Sequence, residues 1–441
     1  MLIIKNGRAV DPSTGLNGMY DILIDGDRIS RIGFCGSLDD MASESLSMKT
    51  SESGEDVAEE LIEIDAAGLL VAPGLVDGHV HFRDPGFTYK EDIDTGAKAA
   101  ARGGFTSVVM MGNTEPHMDN QKTIEDALKR GNKTGIKVYC CGNVSKNMDG
   151  KELVNMAELI EAGAVLFTDD GKPITDDVLM EKACMEASES GKIISLHEED
   201  PKYITDNGIN AGDVAERLGL TGSPRQAEIS MVERDIKIAE KTGAEIVVQH
   251  ISTAESVELI RQAQKRGVKV HAEATPHHFT LTEEDVLKYG ALAKMNPPLR
   301  LESDREAIIK GLQDGTIEMI ATDHAPHSRE EKKKDLRQAP SGITGLETSL
   351  ALGIRELVKP GFLSMGDLIM RMSGGPAGIY GLDAGYIKEG GPADLVIFDP
   401  EGEWDFVQSF SKSSNTPFLG QRLPGRISFT ICKGNVVYSA G

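Results

Sequence analysis

The 441-residue chain is 27% charged, 39% hydrophobic and 5% aromatic, the balance of a globular enzyme rather than of a disordered or membrane-embedded polypeptide. A formal net charge of −23 argues against nucleic acid and anionic membrane as partners, because both require clustered Lys and Arg. The length suits one large α/β domain with a smaller companion.

At the N-terminus, Met1 to Gly7 lacks a basic region followed by a long apolar core, and no later window is apolar for the roughly eighteen residues a membrane span needs. The expected location is cytoplasmic. Five cysteines without a Cys-x-x-Cys pair argue against a disulfide framework, and Cys140 and Cys141 read as buried, reduced strand residues. Residues Leu2 to Ile32 show alternating strand patterns broken by Asn6-Gly7 and Asp25-Gly26. Ser37 to Glu60 holds eight acids and one lysine, a net of −7, without a regular apolar period, and reads as a solvated, mobile insertion.

Eight β-type runs follow: Leu75 to Val80, Thr106 to Met111, Val138 to Gly142, Ala164 to Thr168, Ile193 to His197, Ile246 to His250, Val268 to Glu273 and Met319 to Thr322. Between them, stretches such as Ile124 to Arg130, Val178 to Ser190, Ala227 to Thr242 and Ser256 to Arg266 carry apolar residues at helical spacing. Eight strand-then-helix units predict a closed (β/α)₈ TIM-type barrel over residues 67–384, with its chemistry at the C-terminal strand ends. Strand-like runs at Asp394 to Asp399 and Ile427 to Tyr438 predict a small β-sandwich built from both termini, residues 1–66 and 385–441.

Mapped onto these strands, polar residues fall where a barrel opens its active site. Strand one ends in His79 and His81, which share a face on a two-residue period and are followed on the same alternation by Arg83. Strand four ends in Asp169 and Asp170, strand five in His197, strand six in His250 and strand eight in Asp323. Four imidazoles and two or three carboxylates on one rim need cations between them. They are too many for one tetrahedral Zn²⁺, whereas two ions roughly 3.5–4 Å apart with a bridging carboxylate and hydroxide use them all. Water held by zinc has a pKa near ~7, so hydrolytic attack on a carbonyl is the implied chemistry. Alternation turns only one of Asp169 and Asp170 inward and does not say which.

The motifs Asp77-Gly78-His79-Val80-His81-Phe82-Arg83-Asp84-Pro85-Gly86, Met111-Gly112-Asn113-Thr114, Phe167-Thr168-Asp169-Asp170-Gly171, Lys294-Met295-Asn296-Pro297-Pro298-Leu299-Arg300 and Ala321-Thr322-Asp323-His324-Ala325-Pro326-His327 together resemble the bacterial class I dihydroorotases of the amidohydrolase superfamily. The resemblance implies reversible hydrolysis of L-dihydroorotate to N-carbamoyl-L-aspartate in pyrimidine synthesis, with two zinc ions per chain. It places His79 and His81 on the first zinc, His197 and His250 on the second, Asp170 between them, and Asp323 on the first zinc as general base. It gives the substrate carboxylate to Arg83, Asn113 and His327 and the ring to Asn296. Ser341 and Gly342, in the segment that follows strand eight, are expected to offer backbone contacts if that segment folds over the substrate. The resemblance further implies a homodimer and an association with aspartate transcarbamoylase.

The enzymatic rivals are hydantoinase and allantoinase. Hydantoinases carry a carboxylated lysine on strand four, where this chain has none. A non-catalytic barrel scaffold is the rival from another class. His271, His277, His278 and His324 read as structural, Glu198, Glu199 and Asp200 as capping or solvating a loop, and Ser328 to Arg337 as a solvated loop or a lid. Gly112 replaces a proline common in relatives, which predicts a looser loop around Asn113.

Overall fold

The computed structural model describes residues 1–38 and 61–440, so the acidic insertion expected at 37–60 lies almost wholly outside the described residues. Five strands come first: β1 (Leu2–Asp11), β2 (Leu16–Asp25), β3 (Arg28–Phe34), β4 (Ile62–Asp65) and β5 (Leu70–Pro73). Asp25-Gly26 opens a tight turn between β2 and β3, with Gly26 at φ 59°. Asn6-Gly7 does not break β1. It forms a bulge, with Asn6 at φ 58° and the register stepping from Ile4 opposite Ile22 to Gly7 opposite Tyr20. Glycine is required there because a Cβ at position 7 would lie 2.5 Å from Val71 Cγ2.

The barrel strands follow as β6 (Leu75–Val80), β7 (Phe105–Met110), β8 (Lys137–Gly142), β9 (Ala164–Phe167), β10 (Ile194–Leu196), β11 (Ile246–Val248), β12 (Val270–Ala274) and β13 (Met319–Ile320). Each pairs in parallel with its sequence neighbours. The barrel closes through a parallel bridge between Val80 and His324, with His81 N donating to His324 O at 2.8 Å. Alternate strand residues point two ways. Val109, Cys141, Leu166, Val247 and Met319 pack together with Tyr380, while Val108, Cys140, Phe167 and Val248 join the large cluster shared with the helices. The helices Gln121–Gly131, Asp177–Glu189 and Ala254–Lys265 begin at Asn120, Asp176 and Thr253, whose side chains accept from the first turn.

The chain returns as β14 (Leu395–Asp405), β15 (Arg422–Cys432) and β16 (Asn435–Ser439). The terminal sheet runs β16-β15-β14-β5-β1-β2-β3, with β4 also on β1, so both chain ends meet in it. Leu70–Pro73, on the barrel side of the boundary drawn at residue 67, pairs with β1 and β14 and belongs to this sheet. Leu2, Ile4, Ile22, Ile24, Val71, Leu395 and Ile431 form its separate core. No helix among the described residues is long and apolar enough to cross a membrane.

Candidate active site

Strand β6 ends at Val80, and His79 and His81 present their rings side by side with centroids 5.3 Å apart. Arg83 reaches the same mouth by another route than strand alternation, since its backbone turns left-handed at φ 58° once the strand has ended. His250 (φ 31°) and Asp323 (φ 46°) are likewise left-handed at the ends of β11 and β13. Such strain concentrates where surrounding structure fixes a side chain against its backbone preference.

The lone pairs of these groups converge. His79 Nδ1 donates to Glu273 at 2.7 Å, which turns Nε2 inward as an acceptor with no hydrogen-bond partner. His81 Nδ1 lies 3.0 Å from Asn113 Oδ1 and its Nε2 lies 3.0 Å from Asp323 Oδ1. His197 Nδ1 and His250 Nε2 face each other at 3.0 Å. Asp170 Oδ1 lies 3.6 Å from His79 Nε2, 3.5 Å from His197 Nδ1 and 3.6 Å from His250 Nε2, and Oδ2 lies 3.3 Å from His81 Nε2. The donors sort into two clusters, His79 with His81 and Asp170, and Asp170 with His197 and His250, each compact enough to hold a cation. Asp170 belongs to both. Asp169 points elsewhere and accepts from Val144 N, Ser145 N and Ser145 Oγ.

The field at this mouth favours positive charge. Burial alone would lower the His79 pKa, yet Glu273 and Asp170 carry it well above the ordinary imidazole value. Against the same burial, Asp170 and Glu199 raise His197 to about 9. Burial would raise Asp170, but the charge of His79 and the neighbouring imidazoles of His197 and His250 hold it well below the usual carboxylate range. Asp323 is held low too, the His81 bond and the charge of His79 outweighing its burial. Imidazole nitrogens and carboxylates packed this closely in a buried site, in a field that favours positive charge, suit divalent metal ions.

A cavity of about 270 Å³ opens over the clusters. Arg83, Asn113, Asn296, His327, Ser341 and Gly342 all line it, together with His81, Asp170, His197, His250 and Asp323. Asn207, Gly171 and Ala325 complete the wall and were not singled out by sequence. Asn113 Nδ2 donates to Asp170 at 3.3 Å, and the Asn296 amide touches His197 Nε2 at 3.2 Å.

The amidohydrolase family model matches residues 70–437, the whole barrel and most of the C-terminal strands. This chain belongs to the amidohydrolase family. Among curated relatives, it is 51% identical over 440 residues to a dihydroorotase of Clostridioides difficile (strain 630), with all of both chains covered. It is 48% identical over 440 residues to a dihydroorotase of Lactococcus lactis subsp. lactis (strain IL1403), covering 100% of this chain and 99% of that one. Among solved structures, it is similar to an L-hydantoinase from Arthrobacter aurescens, with a TM-score of 0.83, 25% identity and coverage of 100% of this chain and 96% of that one. A D-hydantoinase from Thermus sp. shares the fold at a TM-score of 0.82.

In this amidohydrolase several polar residues sit where sequence reading did not put them. Glu273, on β12, accepts from both His79 Nδ1 and His250 N and so touches a member of each cluster. A glutamate inside an apolar barrel strand was the available signal. Glu198 and Glu199 neither cap nor solvate a loop. Both are buried, and Glu199 lies 3.4 Å from His197 Nε2 while accepting from Ser223 Oγ. Asp200 does cap, accepting from Lys202 N. Ser328 to Arg337 is not a free solvated loop, because Lys332 Nζ donates to Ala291 O and Pro340 O, and Lys294 Nζ to Leu336 O and Ala339 O. His271 bonds Glu245 and Glu318, His278 bonds Thr275 and Pro297 O, and His324 bonds Glu91, all away from the cavity. At Gly112 a Cβ would lie 2.6 Å from Asn143 Nδ2, so Asn143 occupies the room a larger residue would need.

Proposed function

We propose that this chain is a dihydroorotase, a cyclic amidohydrolase that reversibly hydrolyses L-dihydroorotate to N-carbamoyl-L-aspartate in de novo pyrimidine biosynthesis. The observation that carries the reading is one cavity holding both a twice-shared carboxylate, Asp170, and a cationic pocket of Arg83 beside His327. Full-length relatives named dihydroorotase support it. His79 and His81 would hold one zinc ion, His197 and His250 a second, with Asp170 between them and Asp323 against the first. Bound there, two zinc ions supply Lewis-acid activation of water and of the scissile carbonyl at neutral pH.

The protein's own groups do the rest. Asp323, ionised at neutral pH, takes a proton from the attacking water and delivers it to the ring nitrogen as the amide C–N bond breaks. The Arg83 guanidinium offers a planar fork to the substrate carboxylate, with His327 and the free N–H of Asn113 beside it. Asn296, whose Oδ1 has no protein partner, faces the ring as an acceptor. Ser341 and Gly342 close the wall.

Hydantoins and allantoin lack the carboxylate that Arg83 suits, and no lysine stands at the end of β9. A homodimer, association with aspartate transcarbamoylase and a cytoplasmic location belong to the same reading. Parallel ring-opening assays with dihydroorotate, hydantoin and allantoin test it. Turnover of dihydroorotate at least a hundredfold above the other two is expected; preference for hydantoin or allantoin would overturn it.

A further inference from the structure

His327 stands between two cations, with Glu331 Oε2 3.8 Å from its Nδ1. Its Nε2 is 3.3 Å from Arg83 Nη2 and its Nδ1 is 3.4 Å from Lys90 Nζ. Burial, with the charges of Arg83 and Lys90 adding to it and outweighing a hydrogen bond to the Ser341 backbone, drives the His327 pKa far below the ordinary imidazole value, so the ring is neutral. A neutral imidazole carries one lone pair and one N–H, and can accept from only one of its two neighbours.

Lys90 is a fixed donor on the side away from the cavity. Its ammonium lies 3.0 Å from Glu331 Oε1, which also accepts from Tyr89 OH at 3.1 Å, while Glu331 Oε2 accepts from Ser328 N at 2.9 Å. The segment after β6 and the segment after β13 are thereby joined behind the imidazole. Lys90 does not line the cavity, whereas Arg83 and His327 do. With Nδ1 accepting from Lys90, Nε2 carries the hydrogen and faces the guanidinium, donor against donor. An acceptor lying beside both satisfies that pair, and a carboxylate offers two oxygens for the purpose.

We propose that Lys90 is a positioning residue that sets His327 in its Nε2–H tautomer, so that His327 and Arg83 together donate to the substrate carboxylate. The inference rests on the functional reading above and identifies what orients its carboxylate pocket.

The test uses the metal-loaded full-length protein. Long-range ¹H–¹⁵N correlation on histidine-labelled protein without substrate, with His327 assigned from His327→Asn, should show hydrogen on Nε2. Lys90→Met should move it to Nδ1 or to a mixture, and Lys90→Arg should keep it on Nε2. In ring opening, Lys90→Met should raise KM for dihydroorotate about tenfold with kcat within about twofold. Lys90→Arg should restore most of that loss. Glu331→Gln, which releases Lys90 without touching the cavity, should shift KM in the same direction. Wild type with Nδ1–H, a tautomer unmoved in Lys90→Met, or a fall in kcat at constant KM would overturn the proposal. Wild type inert toward dihydroorotate would overturn the functional reading instead, and the tautomer of His327 would still decide the role of Lys90.

Discussion

Replacing Glu273 by glutamine should weaken metal binding about tenfold while leaving the barrel folded. One oxygen of Glu273 accepts two hydrogen bonds, from His79 Nδ1 at 2.7 Å and from His250 N at 3.2 Å. Glutamine keeps the size and one acceptor oxygen but removes the charge. Hydrogen bonds to charged groups are worth about 1.5–3 kcal/mol and neutral ones about half as much, so the shorter bond loses about 1 kcal/mol and the longer one less. A sum of about 1–2 kcal/mol corresponds to roughly 5- to 30-fold, near the low end of what groups behind metal ligands usually contribute. Both clusters should feel it, because His79 belongs to one and His250 to the other. Chelator competition on Glu273→Gln and wild type measures the affinity. Excess metal should return kcat close to the wild-type value. Unchanged affinity, or a loss of activity that metal does not rescue in a folded protein, would refute the role given to Glu273.

Arg83→Met removes the cationic fork and should raise KM for dihydroorotate by about 10²–10⁴ with metal content unchanged, since two charged hydrogen bonds of about 1.5–3 kcal/mol each disappear; an unchanged KM would contradict this. Asp170→Ala should lose metal, whereas Asp169→Ala should keep it and lower stability by about 2–4 kcal/mol through the orphaned Val144 and Ser145 donors, which metal analysis and denaturant titration separate. Lys332, pushed down to about 7 by burial with Lys294 adding to the effect, gives a pH signature. Its folded form sheds a proton that the unfolded chain retains, so stability should climb from about pH 7 to about pH 10.5 by at most about 1.4 kcal/mol per pH unit, with the full cost present below about pH 7. Lys332→Met should flatten that slope; parallel stability curves for the two proteins would contradict it.

The barrel was legible because its rhythm is physical: short apolar runs buried on both faces alternate with capped amphipathic helices, and Leu75–Val80 stands where its sequence pattern put it. The residues at the mouth were legible because histidine and aspartate at successive strand ends are hard to explain otherwise. What sequence hid is backbone and context. Nothing in the letters around Arg83, His250 or Asp323 announces a left-handed φ, which depends on tertiary constraint. Glu199 follows His197 as one of three consecutive acids, a pattern that usually faces water, and only the fold shows it buried against His197. Lys90 lies in an ordinary polar stretch and acquires meaning from Glu331 and His327, both more than 200 residues away along the chain. Val71 packs against Gly7, a long-range contact that assigns β5 to the terminal sheet and that composition alone does not reveal.

The most direct measurement is a zinc titration of chelator-stripped protein in which bound metal and dihydroorotate ring opening are read on the same sample. Turnover should be absent at the start and rise to a plateau at about two zinc ions per chain, and Asp170→Ala should neither bind nor respond. Full turnover by the stripped protein, or an active Asp170→Ala, would contradict the pair of cations at the barrel mouth.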